Sequence, residues 1–416
     1  MEIEQAQKRL WASGDGGLIL LIGSSPLPNL IAAAALKPPG LALICSCDTE
    51  RGVGRLLRVL RGSYEPAIKK FGPSDHLTLR DPYRAASVRE DLEPHTRDLS
   101  RFALLYTGGT KIMAVHVYQV WAEAGGAPGH ACYLSDRDGL LRFDDDTLVD
   151  ILKGVHLDVA SLADLHGLTE LTCEEVRPEP ASHGGPPRPG DEDAQVVLQA
   201  VLAAPSLAPK LYELGSIKRD GQSKCVKSQK DLQEGRELHA LLPGLSIARL
   251  DSSLNRSAIK AWGRFLRGTW LEGAVADFVC RAAPEIPATT NRQRTTRNVV
   301  AKLPGGKTFQ LDVAHVWGPR LYGISCTTGG AEKQRGELAI TKGKVFEVVV
   351  RSRQLGGDLA RSAVVSLHND MERDQLRHEM PEEWVGDQHL PEIFGISDIR
   401  EWQGGNLRSL QRWLRS

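Results

Sequence analysis

The sequence has no apolar run of the roughly 18 to 20 residues that a membrane-spanning helix needs; its longest candidate, starting at Leu18, is broken by "GSSPLPN". The N-terminus also lacks a cationic segment followed by an apolar stretch and a cleavage site. The expectation is a soluble, cytoplasmic chain with no membrane partner. Cysteine is sparse: seven residues, at positions 45, 47, 132, 173, 225, 280 and 326, scattered and odd in number. That pattern argues for reduced thiols and against a disulfide framework. Cys45 and Cys47 form C-x-C on an expected strand, but no further ligands lie nearby, so buried thiols are expected there rather than a metal site. An excess of either charge is missing as well, since 52 Lys and Arg balance 52 Asp and Glu. A protein that coats itself in nucleic acid is usually basic, so any such binding here needs a local patch. Neither G-x-G-x-x-G nor a P-loop occurs, which disfavours ordinary dinucleotide or ATP binding.

With 416 residues, the chain is too long for one ordinary core, and two or three domains are expected. Its first half alternates strand and helix. "GLILLIG" (17–23) and "LALICSC" (41–47) are continuous apolar runs, as parallel strands buried on both faces require. "NLIAAAALK" and "TERGVGRLLRVLRG" follow them as helices, and "RFALLYTGGTKIMAVHVYQVWAEAG" repeats the strand–turn–helix order. A doubly wound α/β sheet over about the first 150 residues is the reading. Residues 178–192 are dense in Pro and Gly and read as a linker, followed by a polar, helix-leaning stretch over 194–255. The third region holds a long helix, "AIKAWGRFLRGTWLEGAVADFVCRA", with a break expected at Gly268, then a strand hairpin, a second helix, a short strand "SAVVSL" and a polar tail. The expected boundaries are 1–155, 156–256 and 257–416.

Ligands of open parallel sheets bind outside the carboxyl ends of the strands, and two loops fall there. In "TGGTK", Gly108 and Gly109 let the backbone approach an anion, Thr107 and Thr110 offer hydroxyls, and Lys111 adds charge. The same residues also suit a tight turn with Thr110 as N-cap, and spacing alone leaves both readings open. In "GSSPLPN", Ser24 and Ser25 offer hydroxyls, while Asn29 either caps the next helix, the favoured reading, or meets a base edge.

"LLIGSSPLPNLIAAAALKPPGLALICSCDTE" and "LLYTGGTKIMAVHVY" together resemble the CARF sensor domain of CRISPR-associated ancillary nucleases. "GTWLEGAVADFV", "QLDVAHVWGPRLYGISCTT" and "LGGDLARSAVVS" resemble the restriction-endonuclease-like, PD-(D/E)xK domain fused to CARF in the cyclic-tetra-adenylate-activated members. The likeness covers both ends of the chain in the right order, and the middle weakly. It implies a Rossmann-like CARF domain, a nuclease-like α/β domain and a homodimer that binds a cyclic oligoadenylate across its axis. It places Ser24, Ser25, Asn29, Thr107, Gly108, Gly109, Thr110 and Lys111 at the nucleotide site. It places Glu272 and Asp312 at a Mn²⁺ or Mg²⁺ site that cuts DNA or RNA in type III CRISPR antiviral defence.

The family's Glu-x-Lys signature falls on Ser325 and Thr327, and this departure touches the chemistry itself. A serine offers the metal only a neutral hydroxyl, and a threonine cannot carry the charge that orients attacking water. Whether the chain is an enzyme therefore stays open, with a catalytically silent sensor as the alternative and a regulator responding to another nucleotide as a third. Glu332 or Glu337 as a migrated ligand, and Lys333 or Arg335 as a migrated cation, are conceivable, although a solvated helix face explains them more simply. His315, on the opposite face of the strand from Asp312, is expected to be a surface or packing residue rather than a ligand. The basic "RQRTTR" (292–297) reads equally as a phosphate contact or a solvated loop.

Overall fold

A computed structural model describes residues 1–12, 16–62, 65–71, 73–151, 154–176, 189–219, 222–225, 242, 244–246, 256–283, 295–328, 337–383 and 390–416. Strands in the first sheet are β1 (Gly17–Ile22), β2 (Gly40–Ser46), β3 (Ala67–Ile68), β4 (Leu77–Leu79), β5 (Phe102–Leu105), β6 (Ala131–Leu134), β7 (Leu140–Phe143) and β8 (Leu148–Asp150). Every residue of β1 and β2 is buried, as their unbroken apolar runs require of strands covered on both faces. The strand order is β3-β2-β1-β5-β6-β7-β8, with β4 also against β2. From β1 the chain passes through helix Leu27–Leu36 to β2 on one side, whereas β5 lies on the other, parallel to β1. The winding reverses between β1 and β5, so their carboxyl ends flank a crevice. The parallel sheet anticipated from the sequence is therefore present. It is extended by antiparallel β7 and β8, whose short alternating segments carry a weaker signal.

The second sheet uses β9 (Thr169–Glu175), β12 (Thr295–Lys302), β13 (Thr308–Trp317), β14 (Arg320–Thr327), β15 (Arg361–Ser366) and β16 (Glu392–Phe394), in the order β16-β15-β14-β13-β12-β9. Between β9 and β12 stands a separate hairpin of β10 (Ser216–Arg219) and β11 (Gln222–Cys225). The middle region, 156–256, thus supplies an edge strand, β9, and a hairpin beside its helices, while residues 178–188 of the expected linker lie outside the described residues. Polar β9 owes its place to pairing with β12, not to any apolar alternation. The C-terminal tail is not loose either. Helices Ile396–Gln403 and Arg408–Leu414 bury Trp402 and Trp413 against Phe394, Phe278 and Tyr322. Cys45 is buried as expected, but Cys47 is exposed, because the strand has ended at Ser46.

Two helices sandwich the second sheet. Helix Trp270–Ala282 packs one face through Trp270, Val275 and Phe278, in a cluster that includes Val313, Ile324 and Val365. Helix Glu337–Gly356 covers the other face, and its Val345, Val348 and Leu355 belong to a core continuous with Leu18, Leu20 and Ile22 of β1. Helix Val159–His166 joins the two halves by packing Leu162 and Leu165 into that shared core. Among the described residues, no helix is long and apolar enough to cross a membrane.

His166 ends that joining helix, with burial and the nearby Arg55 guanidinium pushing its pKa down to about 4. Its folded pKa lies below the unfolded value near 6.5, so the folded protein prefers the neutral ring. Stability is then full above about pH 6.5 and declines as the pH falls toward about 4, by roughly 2 kcal/mol once residual solvent contact is allowed for. Urea unfolding as a function of pH should show this step, and His166→Gln should flatten it.

Candidate functional sites

The loops after β1 and β5 meet at the crevice. A Cβ on Gly23 would stand 2.8 Å from the Gly109 nitrogen, and one on Gly108 would stand 1.8 Å from the Leu21 carbonyl oxygen. Only glycine allows this backbone-to-backbone approach, and Gly109 turns the chain at φ +76°. Thr110 caps helix Lys111–Glu123: its Oγ1 accepts from Met113 N at 3.1 Å and donates to the Pro82 carbonyl at 2.9 Å. Thr107 Oγ1 accepts from Leu134 N at 2.6 Å and ties the loop to β6. Both hydroxyls are therefore engaged in holding the turn, so the N-cap reading holds for Thr110. Ser24 and Lys111 remain exposed beside it, while the Ser25 hydroxyl is buried without a hydrogen-bond partner.

Asn29 departs from both readings of its role. Helix Leu27–Leu36 starts after Pro26, so Asn29 is already inside it, and its side chain is fully buried. Nδ2 donates to the Leu21 carbonyl at 2.9 Å, locking the helix to the end of β1. A second feature had no cue in the residue pattern: Tyr106 and Tyr118 donate to the two carboxylate oxygens of Asp144, each at 2.7 Å. Tyr106 also lies 5.8 Å from Tyr133, ring centre to ring centre, so an aromatic cluster adjoins the TGGT turn.

In the second sheet Asp312 stands on β13. Its Oδ2 accepts from Ser325 Oγ at 3.0 Å and from Cys326 N at 2.8 Å, both on β14. Ser325, where the resemblance expects glutamate, is buried and serves the neighbouring acid. Glu272 enters from the first turn of helix Trp270–Ala282, immediately after a break at Gly268 (φ +140°), the break anticipated from the sequence. Burial, then repulsion by Asp312, pushes Glu272 up to about 8, with Arg297 and Lys344 acting in the opposite sense. Asp312 is also raised, chiefly by burial, against the pull of its two hydrogen bonds and of Lys344. Two carboxyls that each disfavour the other's charge are a donor set that a hard divalent cation would relieve, so the pair fits Mg²⁺ or Mn²⁺. The fit is minimal. Among the described residues no group of three or more His, Cys, Asp or Glu could hold a metal ion.

Glu332, Lys333, Arg335 and the Glu337 side chain lie outside the described residues. The helical charges that do act on Asp312 are Lys344 and Glu347, paired with each other at 3.0 Å on helix Glu337–Gly356. His315 is buried, as expected of a packing residue, and shares a 2.8 Å hydrogen bond with Thr295. Of "RQRTTR", the described Arg297 pairs with Asp191 at 2.9 Å, and Thr295 and Thr296 are buried in β12. Glu272, Thr327 and Arg297 line a cleft of about 1360 Å³, and helix Arg256–Arg264 contributes to its lining. Asp312 is joined to this lining through its hydrogen bond from the Cys326 amide.

No protein-family model and no curated protein matches this sequence. Solved structures do. Protein VC1899 from Vibrio cholerae aligns at a TM-score of 0.62 and 15% identity, covering 95% of this chain and 98% of that one. Can2 from Sulfobacillus thermosulfidooxidans, solved in complex with cyclic tetra-adenylate, aligns at 0.61 and 15% identity, covering 97% and 100%. A type III CRISPR defence DNA nuclease activated by cyclic oligoadenylate aligns at 0.47 and 17% identity over 85% of this chain and 45% of its own. The first two likenesses run end to end. The chain has their fold: an α/β architecture with one parallel-rich sheet and a second, mixed sheet, the fold class that the resemblance in the sequence implied.

Gly108→Ala drives a methyl group into the Leu21 carbonyl and should cost about 1–3 kcal/mol. Thr110→Val, which removes the cap, should cost about 1 kcal/mol. Denaturant midpoints measure both, and an unchanged midpoint for Gly108→Ala would mean that the TGGT turn does not touch the end of β1.

Proposed function

We propose that this chain is a cyclic-oligoadenylate-responsive effector of type III CRISPR antiviral defence, acting as a homodimer, with a nuclease-type C-terminal half. One observation carries the reading. The Gly23 and Gly108–Gly109 loops converge at the crevice between β1 and β5, in a fold that matches, over 97% of this chain, a protein solved with cyclic tetra-adenylate. In this reading the backbone amides of Gly108 and Gly109, the start of helix Lys111–Glu123 and the Lys111 ammonium meet phosphate. Ser24 and Ser25 supply hydroxyls from the facing loop. Asn29, Thr107 and Thr110 act as positioning residues, through the hydrogen bonds described above. Ile112 and Val115, exposed on the same helix, give a second protomer an apolar surface beside the site.

The C-terminal half is proposed to cut DNA or RNA, with Asp312 and Glu272 holding Mg²⁺ or Mn²⁺. The ion, when bound, polarises a phosphodiester and yields hydroxide at neutral pH. The chain's own groups do the rest. Ser325 and the Cys326 amide orient the Asp312 carboxylate, the Gly268 break aims Glu272 into the cleft, and Lys344 offsets their negative charge. A catalytically silent sensor is the second reading, and it has its own support. Ser325 spends its hydroxyl on Asp312 and Thr327 is uncharged, so neither replaces the missing acid and lysine.

Cleavage of plasmid DNA and single-stranded RNA in Mn²⁺, with and without cyclic tetra-adenylate, separates the two. Cutting is expected to require the nucleotide and to fall about 100-fold or more in Asp312→Ala. Nucleotide binding without cutting selects the silent sensor, and no nucleotide binding sinks both readings. Ser325→Glu combined with Thr327→Lys restores a carboxylate and a cation, and should raise cleavage by roughly 100-fold.

A further inference from the structure

Helix Arg256–Arg264 and the turn after it carry cations at positions 256, 260, 264 and 267, and all four line the large cleft. Steps of four residues place Arg256, Lys260 and Arg264 on one face, at a rise of about 6 Å each. The opposite face buries Ile259, Trp262, Phe265 and Leu266, which fixes the helix so that the basic row looks into the concavity. Arg267 continues the row toward Glu272. Its guanidinium lies 5.2 Å over the Tyr212 ring and donates to the Tyr212 hydroxyl at 3.3 Å, so its position is set. The charges in the cleft wall are Arg256, Lys260, Arg264, Arg267 and Arg297 against Glu174 and Glu272. Arg297 is already occupied by Asp191 and Glu174. Among the described lining residues four of the five cations belong to this row, so the positive charge gathers there, in a chain whose formal net charge is zero.

We infer that this row binds the phosphate backbone of a nucleic-acid strand, laid along the helix so that successive phosphates meet Arg256, Lys260 and Arg264, with Arg267 holding the strand beside Glu272. An amphipathic helix with a merely solvated face would place these charges on convex surface. Here they line one wall of a concave cleft that also contains an acid of the candidate metal pair. Contacts of this kind carry no base information, so the row supplies affinity and register rather than sequence preference. The inference rests on the nuclease-type reading of the C-terminal half for its substrate class, but not on whether that half cuts.

The test is fluorescence anisotropy of the full-length protein with a labelled short oligonucleotide, as single-stranded DNA, single-stranded RNA and duplex. It is run in EDTA to prevent cleavage, with and without cyclic tetra-adenylate. Each phosphate contact adds about 0.7 to the slope of log affinity against log salt for a single strand and about 0.9 for a duplex. The Arg256→Gln, Lys260→Gln, Arg264→Gln triple variant should thus lose about two units of slope and bind at least about tenfold more weakly at about 50 mM salt. Each single variant should lose about 0.7 to 0.9. Arg408→Gln, Arg412→Gln, Arg415→Gln on the C-terminal helix removes equal charge elsewhere and should leave the slope unchanged. Unaltered binding by the row variants, equal losses in both triple variants, or no binding by the wild-type protein would each overturn the inference. Binding through the row by a protein that does not cut would uphold it while removing only the nuclease reading.

Discussion

Leu18, Leu20 and Ile22 of β1 and Leu311, Ala314 and Val316 of β13 belong to one continuous apolar core, and both candidate sites depend on that continuity. Burial of this kind, at about 25 cal/mol for each Å² of apolar surface, is the dominant stabilising term in a protein of this size. Neither sheet completes its core alone, because helices Val159–His166 and Glu337–Gly356 are packed between them. The contact reaches the candidate nucleotide loop after β1 directly. Gly357, at the end of helix Glu337–Gly356, stands so close to Leu27 and Ser25 that an added Cβ would lie 3.2 and 3.4 Å from their side chains. That helix also carries Lys344 and Glu347, whose charges act on Asp312. Ser25 and Leu27 are thus packed against the end of the helix whose middle carries charges facing Asp312.

The acid pair itself is shaped by cost. Two carboxyls buried side by side are unfavourable unless hydrogen bonds or a cation compensate them. Asp312 accepts two hydrogen bonds that oppose its upward push, whereas Glu272, pushed up to about 8, is opposed by the charges of Arg297 and Lys344. Ser325 therefore does more than mark a missing glutamate. Its hydroxyl adds a second hydrogen bond to the Asp312 Oδ2, which also accepts from the Cys326 amide. The same arrangement explains how the hairpin stays intact with or without catalysis.

Charge is distributed on the same principle. The chain balances its acids and bases overall, yet the cleft wall is cationic because one helix turns its basic face inward and its apolar face to the core. Electrostatic attraction for a polyanion depends on such local concentration far more than on net charge.

Several parts of this architecture were legible in the residues. The unbroken apolar runs of β1 and β2 announced a doubly covered parallel sheet, the paired glycines announced a tight strand-to-helix turn, and the quoted motifs announced the two-part fold. Local pattern determined these features because strand burial and positive φ leave direct marks on composition. Other features were decided only by tertiary structure. Asn29 became a buried lock because β1 ends beneath it, and polar β9 became an edge strand because β12 offered a free ladder. The tail helices owe their order to Trp402 and Trp413 finding a distant core. Ser325 found its partner thirteen residues away across a hairpin, and the basic row acquired meaning only when a cleft formed in front of it. Sequence spacing reports which face of an element a residue occupies, whereas what lies opposite that face depends on non-local packing.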